Sequence, residues 1–178
     1  MSKKALLLTG KPGTGKTALI KEALARTMVE AGGFYTEEMR TAGKRQGFRI
    51  VTLDGQKAIL AHINMSSPYR VSKYGVDIDT LDEVGVSALQ RALRQSKVIV
   101  IDEIGKMEFF SNRFREAVVQ AIDSGKKVLG TIVLNPHPFA DQIKLRPEVE
   151  VLQLTKDNRA EVMAKVLAWL TQGDSSVS

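Results

Sequence analysis

Two short stretches carry residue types whose spacing can do chemistry. The first reads GKPGTGKT, from Gly10 to Thr17, and fits the phosphate-binding pattern G-x-x-x-x-G-K-[ST] at every fixed position. Gly10, Gly13 and Gly15 free the backbone so that its N–H groups can converge on a phosphate as a concave nest. Pro12 stiffens the loop, and Lys11 and Thr14 complete it. Lys16 carries a full charge toward the β- and γ-phosphates, and Thr17 offers a hydroxyl to Mg²⁺. The second stretch reads VIVIDEIG: Val98, Ile99, Val100, Ile101, Asp102, Glu103, Ile104 and Gly105. It has the form of a Walker B strand, in which Asp102 would hold Mg²⁺ through a water beside Thr17. Glu103, directly after it, can orient an attacking water or accept its proton. The bland alternatives are a glycine-rich turn and two acids capping a sheet edge. The loop and the acids together argue against both.

These residues need strands and helices to position them. Ala5 to Leu8 is an apolar run that reads as a buried strand, and Lys16 to Glu30 reads as a helix. That is the strand–loop–helix context the motif requires. Ile20, Ala23, Leu24 and Met28 predict its buried face, and Gly32 and Gly33 predict its end. Phe34 to Arg40 reads as a strand entering a loop, and Gly43 to Gln46 as a polar turn. Phe48 to Leu53 and Ala58 to Ile63, joined through Asp54-Gly55, read as an antiparallel ribbon. Asn64 to Tyr74 reads as irregular. A helix over Leu81 to Gln95, capped by Asp79 or Thr80, and another over Ser111 to Ser124 follow. Val128 to Leu134 and Val149 to Leu154 are further strands, with a short helix over Phe139 to Leu145 between them. A final helix is expected to bury Ala160, Met163, Ala164, Leu167 and Leu170, with Trp169 in the core. Strands that are apolar throughout, alternating with helices, imply a mostly parallel α/β sheet covered on both faces. Ligands of such sheets bind at the carboxyl ends of the strands, where both motifs lie.

The chain of 178 residues is 43% hydrophobic and 26% charged, ordinary values for one globular domain over residues 1–172 with a disordered tail at 173–178. With no cysteine, disulfides and thiolate metal sites are excluded. Nothing approaches a membrane-spanning or signal-peptide length, so a cytoplasmic protein is expected. The +6 charge suits an anionic substrate as well as a nucleic acid. Its cations are scattered, which favours a solvated surface over a dedicated nucleic-acid face. A monomer is expected.

A further cation at the γ-phosphate would speed phosphoryl transfer to water, and Lys106, Arg40, Arg70 and Lys73 are the loop candidates. Glu37 and Arg40 can orient the water or the metal, or form a local ion pair. His62 and His137 are read as structural or surface residues. The guanine-reading N-K-x-D signature is absent.

The combination GKPGTGKT, GGFYTEEMR (Gly32 to Arg40), GFRI (from Gly47), YRVSKYGVD (Tyr69 to Asp77) and IDEIGKMEFF (Ile101 to Phe110) resembles the small nucleoside-triphosphatases of the cancer-related NTPase family. The resemblance covers Lys4 to the final helix. It implies a P-loop NTPase fold of the class with a catalytic glutamate, related to RecA-like and AAA+ ATPases. It also implies Mg²⁺-dependent hydrolysis of ATP, GTP, CTP, UTP and similar nucleoside triphosphates to diphosphate and phosphate. Lys16 and Glu103 would be catalytic, Thr17 and Asp102 the metal residues, and Gly10 to Thr17 and Val98 to Gly105 the nucleotide-binding segments. A small nucleotide or nucleoside kinase and a nucleic-acid-stimulated ATPase use the same loop and are the competing expectations.

Overall fold

A computed structural model describes residues 3–173; positions 174–178 of the expected tail lie outside them. The apolar runs become strands whose side chains alternate between two cores. In β1 (Ala5–Thr9), Ala5 and Leu7 face one core, Leu6 and Leu8 the other. The elements that follow are α1 (Lys16–Thr27), β2 (Ala31–Thr41), β3 (Lys44–Thr52), β4 (Lys57–His62), β5 (Arg70–Val71), β6 (Tyr74–Val76) and α2 (Ile78–Thr80). A π-helical turn (Leu81–Val86) leads into α3 (Ser87–Gln95) and β7 (Val98–Ile104). A 3₁₀ turn (Glu108–Phe110), α4 (Asn112–Asp123), β8 (Lys127–Ile132), α5 (Pro138–Lys144), β9 (Val149–Gln153) and α6 (Arg159–Thr171) complete the chain.

All these strands join one sheet, ordered β5-β6-β4-β3-β2-β7-β8-β1-β9. The run from β2 to β9 is parallel, and β3, β4, β6 and β5 extend it antiparallel, as the alternation and the Asp54-Gly55 turn imply. Helices α1 and α6 cover one face; α3, α4 and α5 cover the other.

Several local expectations are corrected. Helix α1 stops at Thr27, with Met28 left-handed (φ 54°) and 87% exposed rather than buried. Gly32 and Gly33 lie inside β2, not at a helix end. Gly33 is required by strand pairing: a Cβ there would stand 2.0 Å from the Val100 carbonyl oxygen. Asp77, not Asp79 or Thr80, caps the helical run after β6 by accepting from Thr80 N–H. In α6 the buried residues are Val162, Met163, Val166, Trp169 and Leu170, while Ala160 and Ala164 are exposed. Alanines carry little apolar area, so Val162 and Val166 win the buried side. Within Asn64–Tyr74 the chain forms β5, which pairs with β6.

Candidate active site

Gly15, left-handed at φ 86°, turns the loop into α1, whose first residue is Lys16. Gly10 approaches the strand end of β9 so closely that a Cβ would stand 2.5 Å from the Leu154 carbonyl oxygen. Lys16 Nζ donates to the carbonyls of Gly10 (2.9 Å) and Lys11 (3.1 Å), and Thr14 Oγ1 also donates to Lys11 O (3.0 Å). The lysine is thereby folded over the loop where phosphates would lie. The loop runs directly into the positive end of a twelve-residue helix, a place suited to an anion.

Strand β7 delivers the acids. Val98 and Val100 point to the α1 side of the sheet, Ile99 and Ile101 to the other. The same alternation puts Asp102 on the α1 side, where Thr17 Oγ1 donates to its Oδ2 at 2.5 Å. Thr131 of β8 donates to Oδ1 at 2.7 Å, and Thr36 of β2 donates to the Asp102 carbonyl at 2.8 Å. Asp102 is buried, and burial pushes its carboxyl above the ordinary value, against the pull of the two hydroxyls. The hydroxyl of Thr17 and the carboxylate of Asp102 are hard oxygen donors in contact. Such a pair fits Mg²⁺, which takes few protein ligands and completes its shell with phosphate oxygens and water.

Glu103 is half-buried; burial first, and Asp102 second, raise its pKa. Its carboxylate folds over Gly105, where a Cβ would meet Oε1 at 2.6 Å. Glu108 is buried, and burial plus the charge of Glu103 push it well up.

One cavity of about 540 Å³ gathers Gly10–Gly13, Lys16, Thr17, Asp102, Glu103 and Glu108. Of the expected site residues, Thr14 and Gly15 shape the loop without lining this cavity. Val98, Ile99, Val100, Ile101 and Ile104 are core side chains, and Gly105 is buried beneath Glu103. They position the acids and do not reach the cavity. Lys106 lines it. Arg40, Arg70 and Lys73 do not: Arg40 pairs with Glu38, Arg70 donates to the Met65 and Lys73 carbonyls, and Lys73 lies over the Tyr74 ring. Glu37 forms ion pairs with Lys21 and Arg49 and is outside the cavity lining, so its role is the local pair. His62 and His137 are structural, each accepting a backbone N–H through Nδ1, from Asn64 and Phe139 respectively.

The cavity also holds residues with no motif to announce them. Thr36, Glu38, Arg45 and Phe48 form a wall on the β2–β3 ribbon, which rises past the carboxyl end of β7. Their only sequence signal is the strand alternation that puts Thr36 and Glu38 on one side.

Comparison with known proteins identifies the family and the fold. The family described as NTPase matches residues 5–167. The chain is 50% identical over 165 residues to the nucleoside-triphosphatase THEP1 of Thermotoga sp. (strain RQ2), covering 93% of this chain and 94% of that protein. It is 38% identical over 178 residues to the human cancer-related nucleoside-triphosphatase, covering 91% and 94%. The crystal structure of THEP1 from the hyperthermophile Aquifex aeolicus superposes with a TM-score of 0.87 at 38% identity, covering 94% of this chain and 99% of that one.

Proposed function

The chain belongs to the NTPase family, and from that premise we propose that it hydrolyses nucleoside triphosphates, ATP, GTP, CTP and UTP among them, to diphosphate and phosphate. The observation that carries the reading is the contact between Thr17 and Asp102 at 2.5 Å, with Lys16 and Glu103 lining the same cavity. The loop amides and Lys16 bind the triphosphate and hold its γ-phosphoryl group toward Glu103. Glu103 orients the attacking water and takes its proton, for which its carboxyl must be ionised. Thr17 and Asp102 would hold Mg²⁺, which supplies charge neutralisation at the phosphate oxygens when bound. Thr131 and Thr36 fix Asp102 in place.

No guanine-reading signature is present in the sequence, which supports loose base selection. Among the described residues no helix is long and apolar enough to cross a membrane. The proposal extends to a cytoplasmic monomer that acts on free nucleotides without a nucleic-acid activator, its scattered cations suiting a solvated surface. Phosphate release from each of the four nucleoside triphosphates, with Mg²⁺ or with EDTA, tests it. Release from all four that EDTA abolishes is expected. Release that waits for an added nucleoside or nucleotide acceptor would replace hydrolysis with a kinase reaction.

A further inference from the structure

Hydrolysis at this site develops charge on the γ-phosphate beside several carboxylates that line or underlie it, Asp102, Glu103 and Glu108 among them. Beside the Mg²⁺ that Thr17 and Asp102 would hold, Lys16 is already engaged with two loop carbonyls, which leaves room for a further cation at the γ-phosphate. The other cations that line the cavity are Lys11, Lys106 and Arg45. Lys11 and Lys106 are exposed, and either must be ordered from solvent to serve. Arg45 is already built in.

Its placement follows from the ribbon. Glu38 pairs with Phe48 and Met39 with Gly47, but Arg40 pairs with Arg45, so Gln46 is an extra residue on β3. Without it, alternation would send Arg45 to the side opposite Phe48. The bulge reverses that, as bulges beside sites do. Arg45 thus joins Phe48 and Glu38 on the cavity side, with its guanidinium 5.2 Å from the Phe48 ring centroid and 5.7 Å from that of Tyr74. Nε donates to the Tyr74 hydroxyl (2.9 Å) and Nη1 to Glu38 Oε1 (3.0 Å). Nη2 has no protein partner among the described residues. Glu38 is shared with Arg40, so two guanidinium groups face one carboxylate and a net positive charge remains at the wall. The Thr36 hydroxyl on the Asp102 carbonyl ties this wall to the strand that carries the acids.

We propose that Arg45 is a catalytic residue whose Nη2 donates to a non-bridging γ-phosphate oxygen, an arginine supplied by the chain itself. The proposal rests on the reading that a triphosphate lies along Gly10–Thr17. In the reaction the water oxygen bonds to the γ-phosphorus and the bond to the β,γ-bridging oxygen breaks. The bond pair leaves with the diphosphate, and the water proton goes to Glu103. Arg45 exchanges no proton; it neutralises charge that is greatest in the transition state, so its removal falls on kcat.

The test measures phosphate release, Mg-nucleotide affinity and melting temperature for the wild type, Arg45→Ala, Arg45→Lys and Lys106→Ala. Arg45→Ala is expected to lower kcat by about 10²- to 10³-fold with KM changed only a few-fold. Guanidinium ion added to Arg45→Ala restores part of the rate and does nothing for the wild type. Arg45→Lys keeps a positive charge for Glu38 and the wild-type melting temperature yet stays at least tenfold slow, because an ammonium lacks the fork. Lys106→Ala loses less than Arg45→Ala. A wild-type kcat in Arg45→Lys or Arg45→Ala, a loss confined to KM, or an absence of guanidinium rescue overturns the role and leaves the hydrolase reading standing. A wild type that binds and hydrolyses no Mg-nucleotide overturns both.

Discussion

Gly105→Ala isolates the position of the Glu103 carboxylate from everything else in the fold. The added Cβ would stand 2.6 Å from Glu103 Oε1 and 3.0 Å from its Cδ and Cγ, and these are the three nearest heavy atoms. Ordinary contact begins at 3.4 Å, so the carboxylate must withdraw by about 0.8 Å. The obstacle is the end of a flexible side chain, and Gly105 is not among the left-handed glycines, so the backbone has no reason to move. A catalytic group displaced by about 1 Å costs roughly 10²-fold in rate, which places the variant roughly 10- to 100-fold below wild type in kcat. Folding should be unchanged or firmer by up to ~1 kcal/mol, because alanine narrows the unfolded ensemble. Steady-state phosphate release gives kcat and KM, nucleotide titration gives affinity, and thermal unfolding gives stability. A wild-type kcat at an unchanged melting temperature would refute the reasoning. A melting temperature lowered by many degrees would show that more than the carboxylate had been displaced.

Three other perturbations probe the same site. Lys16→Ala should lower turnover by about 10²-fold or more, read by phosphate release at saturating Mg-nucleotide; a wild-type rate contradicts its phosphate role. Thr131→Val removes a hydroxyl from a buried carboxylate, a loss of about 1.5–3 kcal/mol at pH 8. It also raises the Mg²⁺ concentration for half-maximal rate. The hydroxyl holds the pKa of Asp102 down, so the stability loss should shrink as pH falls through the folded pKa; a pH-independent loss contradicts the assignment. Glu108 has a folded pKa raised above its unfolded value by burial, so wild-type stability is lost as pH rises through the folded value. Glu108→Gln should therefore melt higher than wild type at pH 8, with the gap closing toward pH 5; a lower melting temperature at pH 8 would mean that the carboxylate has a cationic partner.

The two motifs were legible because each is local: the loop's glycines and the apolar strand before Asp102 dictate their own geometry. The parallel order followed from runs apolar on both faces, and the hairpin from Asp54-Gly55. The end of α1 is hidden from the pattern because Met28 keeps the spacing of Ile20 and Leu24, while the chain turns left-handed at that residue and exposes it. Gly32 and Gly33 look like a helix stop, yet Gly33 serves a close approach to Val100 in the neighbouring strand, a requirement visible only once the strands pair. Arg45 was illegible for a similar reason. One extra residue in β3 decides which side it takes, and a bulge leaves no mark in a pattern of period two. Glu108 reads as polar, and only the packing of the 3₁₀ turn buries it.

The central claim is that Glu103 handles the attacking water while the loop holds the nucleotide independently of it. Glu103→Gln, nearly the same in shape, should bind Mg-nucleotide within a few-fold of wild type and hydrolyse it about 10²- to 10⁴-fold more slowly. Hydrolysis at the wild-type rate by that variant, with nucleotide bound as before, would contradict the claim.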